Sequence, residues 1–181
     1  MPFAGLSDFI TLLEKKGVLH RIKQFVDPLL EIAEVTDRIS KSEGKALLFE
    51  NSGTQFPVLI NAYGSEKRMA IAIGRLNLDE AQNELATLFN ELTEPKDNLF
   101  RKLSSLPRLL KLSGFLPSNK RGKGICQQVI LRDPDLSILP VLKCWPHDGG
   151  LFITLPMVHT IHPVTGKTNI GMYRMQILDR K

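Results

Sequence analysis

The chain has 181 residues, 43% of them hydrophobic and 24% charged, with a formal net charge of +5. That balance excludes a disordered chain, and no apolar run reaches the length of a membrane span. Met1-Pro2-Phe3 lacks the basic start and apolar centre of a secretory signal, and Cys126 and Cys144 suit a reducing compartment, so a cytoplasmic location is expected.

In chain order, the spacing of Leu6, Phe9, Ile10, Leu12 and Leu13 predicts a short amphipathic helix over 6–16, with Ser7 as N-cap and Gly17 at its end. Residues 18–25 mix apolar and basic side chains as a strand does. Asp27-Pro28 then opens a second helix, whose buried stripe is Leu29, Ile32, Ala33, Val35, Thr36 and Ile39, and Glu43-Gly44 closes it. Two short strands follow over 46–50 and 57–61, joined through Asn51-Ser52-Gly53. Residues 65–73 read as helix up to Gly74. A stronger helix covers 78–92, with Leu78, Ala81, Leu85, Leu88, Phe89 and Leu92 at helical spacing and Asn77 or Asp79 as cap. Residues 97–112 add a helix or pair of helices broken at Pro107.

Residues 113–124 are rich in Gly, Pro, Ser, Asn and basic side chains, which makes them the best linker. Beyond them the chain turns β-rich, with strands expected over 126–131, 152–154, 157–162 and 169–178, and a hairpin turn at Pro163-Val164-Thr165-Gly166. The fold class is therefore mixed α/β (α+β): an N-terminal α/β domain over 1–120, then a β-rich domain over 121–181.

Charge is unevenly placed. Lys96, Arg101, Lys102, Arg108, Lys111, Lys120, Arg121 and Lys123 face Asp97 alone within 96–123. Such a run suits an anionic partner or a peripheral contact with a membrane, but equally a solvated helix face and a basic linker. It carries no interleaved aromatic residues for base stacking, so no nucleic acid is expected.

Cys144 with His147 and His159 with His162 stand at two-residue gaps, which invites a zinc site. The geometry argues against it, because residues three apart on a strand face opposite sides. Asp148-Gly149-Gly150 either lets backbone approach a ligand closely or simply turns the chain between strands.

The segment 168–176, Thr-Asn-Ile-Gly-Met-Tyr-Arg-Met-Gln, is the densest in chemistry. Strand alternation sets Asn169, Gly171, Tyr173 and Met175 on one face and Ile170, Met172, Arg174 and Gln176 on the other. An Arg among apolar residues needs an anion, either a ligand's carboxylate or phosphate or a distant Asp. Asn169 and Arg174 would lie about 16 Å apart on an ideal strand, so a bulge or bend near Gly171 is needed to bring both to one ligand.

Two stretches carry a family likeness. Residues 138–156 read Ile-Leu-Pro-Val-Leu-Lys-Cys-Trp-Pro-His-Asp-Gly-Gly-Leu-Phe-Ile-Thr-Leu-Pro, and 166–176 read Gly-Lys-Thr-Asn-Ile-Gly-Met-Tyr-Arg-Met-Gln. Both resemble the UbiD-like decarboxylases, the prenylated-flavin enzymes that remove CO2 from aromatic and α,β-unsaturated acids and include the polyprenyl-4-hydroxybenzoate decarboxylases of ubiquinone synthesis. The stretches at 6–10, 19–22 and 46–51 are similar to the family's N-terminal domain, so the likeness covers nearly the whole chain.

The resemblance implies that 121–181 begin an FMN-binding split β-barrel. It implies that Asn169 ligates a divalent ion, usually Mn2+, bridging to the flavin phosphate. Met172, Tyr173 and Arg174 then contact prenylated FMN, and Arg174 matches the arginine of a glutamate–arginine–glutamate catalytic network. Potassium, a small-molecule carboxylic acid substrate and a homo-oligomer are implied as well. The family's other metal ligands and both catalytic glutamates would lie beyond Lys181. The expectation is accordingly an N-terminal fragment, engineered or natural, that is inactive alone. Rival expectations are an oligomerisation module without catalysis and a basic anion-binding protein.

Overall fold

A computed structural model describes residues 3–93 and 121–181. It divides into two compact units, one of Met1–Glu80 with Asp133–Lys181 and one of Ala81–Arg132.

The first unit is built on a three-stranded sheet ordered β1-β2-β3, from β1 (Leu19–Phe25), β2 (Ala46–Asn51) and β3 (Val58–Ile60). β1 and β2 run parallel, which requires a crossover, and α2 (Glu31–Lys41) supplies it. β3 returns antiparallel, with Phe49 opposite Val58. β2 is central and Ala46, Leu47, Leu48 and Phe49 are all buried, so its near-continuous apolar run reflects burial on both faces.

The two sides of β2 feed separate cores. Leu47 and Phe49 pack with Val26, Ile32 of α2, Val58 and Leu142. Ala46 and Leu48 pack with Leu19 and with Phe9 and Leu13 of α1 (Leu6–Lys15); Ile71 and Ala72, at the end of α3 (Glu66–Ala72), border this cluster. Helices therefore cover both sheet faces. Arg21 of β1 ties the layers at the surface, reaching Glu14 of α1 at 2.7 Å and Glu50 of β2 at 2.5 Å.

Several helix ends differ from expectation. Gly5, not Ser7, occupies the N-cap of α1; the Ser7 carbonyl instead accepts from Thr11 Oγ1. Asp27-Pro28 does not start α2. The Asp27 carboxylate accepts from the Leu29 amide, Leu30 takes a left-handed φ of 72°, and Glu31 reaches back to the Asp27 amide, so the helix opens three residues later than the proline suggests. Ser65 caps α3 by accepting from the Arg68 amide, and Asn77 caps α4 (Leu78–Thr93) by accepting from the Glu80 amide at 2.8 Å. Leu85 and Phe89 of α4 are exposed, although their spacing predicts burial.

The strand expected over 126–131 is absent. A 3-10 turn at Ile125–Gln127 stands there, and Val129 and Ile130 are exposed. β-branched residues favour a strand only where a neighbouring strand and an apolar face receive them, and this segment has neither among the described residues. The expected helices over 97–112, and the basic run save Arg121 and Lys123, lie outside the described residues.

Four short strands complete the first unit: β4 (Leu151–Ile153), β5 (Met157–Ile161), β6 (Thr168–Met172) and β7 (Met175–Ile177). They form two antiparallel pairs, β4 with β7 and β5 with β6. The turn between β5 and β6 falls where the sequence places it. Gly166 has φ 66°, and His162 Nδ1 accepts from the Val164 and Thr165 amides. Among the described residues no helix is long and apolar enough to cross a membrane.

Candidate functional site

The single strand expected over 169–178 is two strands. β6 ends at Met172, β7 begins at Met175, and Tyr173-Arg174 is the crossing from one ladder to the other. The break sits just past Gly171, where a bend was expected. Gly171 itself serves to make room for an aromatic side chain. The Tyr173 ring folds back over it, and a β-carbon there would lie 2.5 Å from the ring. The alternation that separates Asn169 from Arg174 onto opposite faces therefore does not continue through Arg174.

At the crossing, Arg174 meets Asp148, 26 residues earlier, in a two-pronged ion pair. Nη1 donates to Oδ1 at 2.9 Å and Nη2 to Oδ2 at 2.5 Å. The guanidinium carbon lies 3.7 Å from the centre of the Phe152 ring, so the cation is also supported on an aromatic face. The distant aspartate expected as one possible partner of Arg174 is therefore present, in Asp148.

The cradle is built from the main core outwards. Leu142 belongs to the core cluster of α2 and β2. The Phe152 amide donates to the Leu142 carbonyl at 2.9 Å, so the platform under Arg174 is tied to that core. Lys143 exchanges backbone hydrogen bonds with Pro28 and Leu30, fastening the same segment to the start of α2. Asp148 is fixed in turn, since Oδ2 accepts from the Trp145 amide at 3.1 Å and only 12% of its side chain is exposed, against 38% for Arg174. Gln176 of β7 packs onto Gly149, where a β-carbon would come within 3.0 Å of its Nε2. Gly149 thus makes room for the close approach of a side chain, whereas a β-carbon at Gly150 would meet Gln176 only at ordinary contact distance.

Electrostatics follow the contacts. The Arg174 hydrogen bonds hold the Asp148 carboxyl below the usual carboxylate range, against the opposing effect of burial. Asp148 raises the Arg174 guanidinium in return. Asp148 is therefore an anion at neutral pH and a poor proton donor.

The other expected site residues are placed differently. Asn169 is exposed on β6 opposite Thr160, and Met172 and Tyr173 are exposed at the crossing. Among the described residues no three His, Cys, Asp or Glu side chains group as metal ligands. A lone amide does not satisfy a hard divalent cation, which prefers several oxygen donors, so the residues present do not by themselves fit Mn2+. Cys144 borders the core and His162 caps a turn. An open groove of about 1420 Å³ is lined by Val35, Asn61, Tyr63, Trp145 and Leu155, and neither Asn169 nor Arg174 lines it. Sequence reasoning singled out Arg174 but missed its partners. Asp148 stood out only beside two glycines, and nothing in the spacing marked Phe152.

The architecture is thus a mixed α/β N-terminal region followed by β-ladders that form no closed barrel among the described residues. Residues 10–89 match the 3-octaprenyl-4-hydroxybenzoate carboxy-lyase N-terminal domain, and residues 118–181 match the Rift-related domain of the same carboxy-lyase. The chain belongs to the UbiD carboxy-lyase family. It is 47% identical to an uncharacterised protein of Aquifex aeolicus over 98% of its own length and 37% of that relative's. It is similar in structure to the vanillic acid decarboxylase of Sedimentibacter hydroxybenzoicus in its open form, with a TM-score of 0.71 and 26% identity, covering 98% of this chain and 35% of that one. An evolved dimeric form of the UbiD-class enzyme HmfF from Pelotomaculum thermopropionicum, in complex with prFMN, shares the fold at a TM-score of 0.67 and 22% identity, covering 98% and 37% of the two chains. The chain thus spans little more than a third of the length of the relatives it matches.

Proposed function

We propose that this chain forms the N-terminal portion of a non-oxidative decarboxylase that acts on an aromatic or α,β-unsaturated carboxylic acid with prenylated FMN. Family membership supports the reaction class, and the observation that carries the site is the guanidinium of Arg174, oriented by Asp148 and Phe152 yet partly open to solvent. A planar cation of this kind suits a carboxylate, and its open face suits a flat ring. Met172 and Tyr173 offer exposed apolar and aromatic surface beside it for the flavin. Held against these residues, prenylated FMN would supply the electron sink that decarboxylation needs.

Decarboxylation replaces the C–CO2 bond with C–H, so an acid must deliver a proton to that carbon. Among the described residues the acid in contact with Arg174 is Asp148, and Arg174 favours its ionised form. Residues 1–181 taken alone are therefore expected to release no CO2. Asn169 would be one metal ligand of a set completed elsewhere. The test is incubation of the purified chain with prenylated FMN, Mn2+ and a panel of cinnamic and hydroxybenzoic acids, with CO2 measured; release above the flavin-only control overturns the assignment of roles.

A second reading, an oligomerisation module, is favoured by one observation. Met157, Ile161, Ile170 and Met172 share one face of the β5–β6 hairpin and all are exposed. Light scattering separates the two: a monomer across a wide concentration range removes the module.

A further inference from the structure

Arg174 is the group on which the proposed carboxylate binding turns, and its freedom is constrained from several sides. An unsupported arginine visits many rotamers, and most of its intrinsic affinity is lost in ordering it. Here the carboxylate of Asp148 takes the Nη1–Nη2 end, and the Phe152 ring takes one face of the plane. What remains is the opposite face and the side edges of the guanidinium, which still carry N–H donors.

Asp148 is itself far more buried than the arginine it holds. Its Oδ2 accepts from the Trp145 amide, and its own amide donates to the Trp145 carbonyl, so a tight turn fixes the carboxylate before Arg174 arrives. An ordinary surface ion pair has two mobile, solvated ends. This pair has one anchored end and one presented end, the arrangement expected of a support for a working group.

We propose that Asp148 is a positioning residue: it locks Arg174 in one rotamer on Phe152 so that the free face and edge of the guanidinium receive the carboxylate and ring of an aromatic acid. The inference rests on the reading of Arg174 as the substrate-carboxylate ligand. Asp148 forms no contact with substrate in this role and transfers no proton. Its contribution is to lower the ordering cost of Arg174, which is why the isosteric amide should fail. An asparagine keeps the shape, but it offers one acceptor where the guanidinium needs two, and no charge.

The experiment uses the 181-residue chain and benzoate as probe, with the Arg174 side-chain Nε–H signal followed by nuclear magnetic resonance. In the wild type the Arg174 signal should be sharp and should shift on adding benzoate. In Asp148→Asn, with the backbone amide spectrum otherwise preserved, the signal should broaden or move towards that of a free arginine. Benzoate affinity should fall about tenfold, the scale of one oriented charge-assisted contact. Arg174→Gln should abolish the response in either background. Should Asp148→Asn unfold the chain, Phe152→Leu removes the platform instead and should weaken benzoate while leaving the Asp148 pair intact. Equal or tighter binding by Asp148→Asn overturns the proposal, because Asp148 would then be a competitor for Arg174. Absence of any benzoate response in the wild type, with the Arg174 signal still reporting the pair, overturns the carboxylate reading of Arg174 as well. The two failures are therefore told apart.

Discussion

The Tyr173 ring lies directly over Gly171, occupying the space in which any other residue would place its β-carbon, 2.5 Å from the ring edge. The two residues flank the end of β6, so this contact helps set where the chain leaves one ladder for the next. Gly171→Ala should push the ring aside. Because Tyr173 is largely exposed, the stability cost should be small, within about 1 kcal/mol. The ring itself should move, and the aromatic proton shifts of Tyr173 report it; unchanged shifts would mean that the ring does not rest on Gly171 in solution.

The centre of the sheet should respond very differently. Phe49 is fully buried between α2 and the facing residues Val26, Val58 and Leu142. Phe49→Ala should cost about 3–5 kcal/mol from lost burial and the cavity left behind. Urea denaturation followed by circular dichroism measures it, and a loss below about 1 kcal/mol would mean that Phe49 does not sit at the centre of the core.

Arg68 tests how a buried cation is tolerated. Its residue is 3% exposed and Nη1 donates to the Gly44 carbonyl at 3.0 Å, while Nε and Nη2 find no hydrogen-bond partner among the described residues. Burial lowers its pKa, the direction expected of an unpaired cation. Asn61 Nδ2 also donates to the Gly44 carbonyl, at 3.3 Å, so that acceptor is not abandoned if Arg68 is replaced. Arg68→Met should be neutral or stabilising, within about 1 kcal/mol of wild type on the stabilised side. A clear fall in the thermal midpoint would show that Arg68 meets an anion.

Acid should weaken the Arg174 cradle. The Asp148 carboxyl is lowered in the folded chain, so the unfolded chain binds more protons across the ordinary carboxylate range. The stabilisation is therefore complete above that range and is lost as pH falls below about 4, through the lowered folded value. Glu14, paired with Arg21, and Asp135, bonded to Ser137, share the same direction. Asp148→Asn should make the acid limb of the stability curve shallower by the share of one carboxyl. Parallel curves for wild type and Asp148→Asn would exclude the pair from the folded state in solution.

Much of the N-terminal unit was legible in the residues because its signals are local. Helical spacing marked Phe9 and Leu13, residues 46–50 read as a short strand, and Asn77, one of the two caps offered for the helix over 78–92, does cap it. Start signals failed where a neighbour competed. Asp27 looks like a cap, but its carboxylate turns the chain at Leu29 while Glu31 binds its amide. The run after Gly124 has strand-forming residues but no ladder among the described residues, because propensity cannot supply the second strand.

Residue type and spacing over a few positions were enough for the order of helices and short strands in the N-terminal part and for the choice of Arg174 as a residue in need of an anion, while the likeness of two longer stretches pointed to the family. Three-dimensional packing was needed to establish that the anion is Asp148, that Phe152 lies beneath the guanidinium, and that the strand through Asn169 breaks at Tyr173-Arg174. Those outcomes join residues more than twenty positions apart, and their geometry is set by how β4 and β7 pair and by how Leu142 anchors Phe152 to the core. Alternation along one segment carries no information about which ladder its next residue will join.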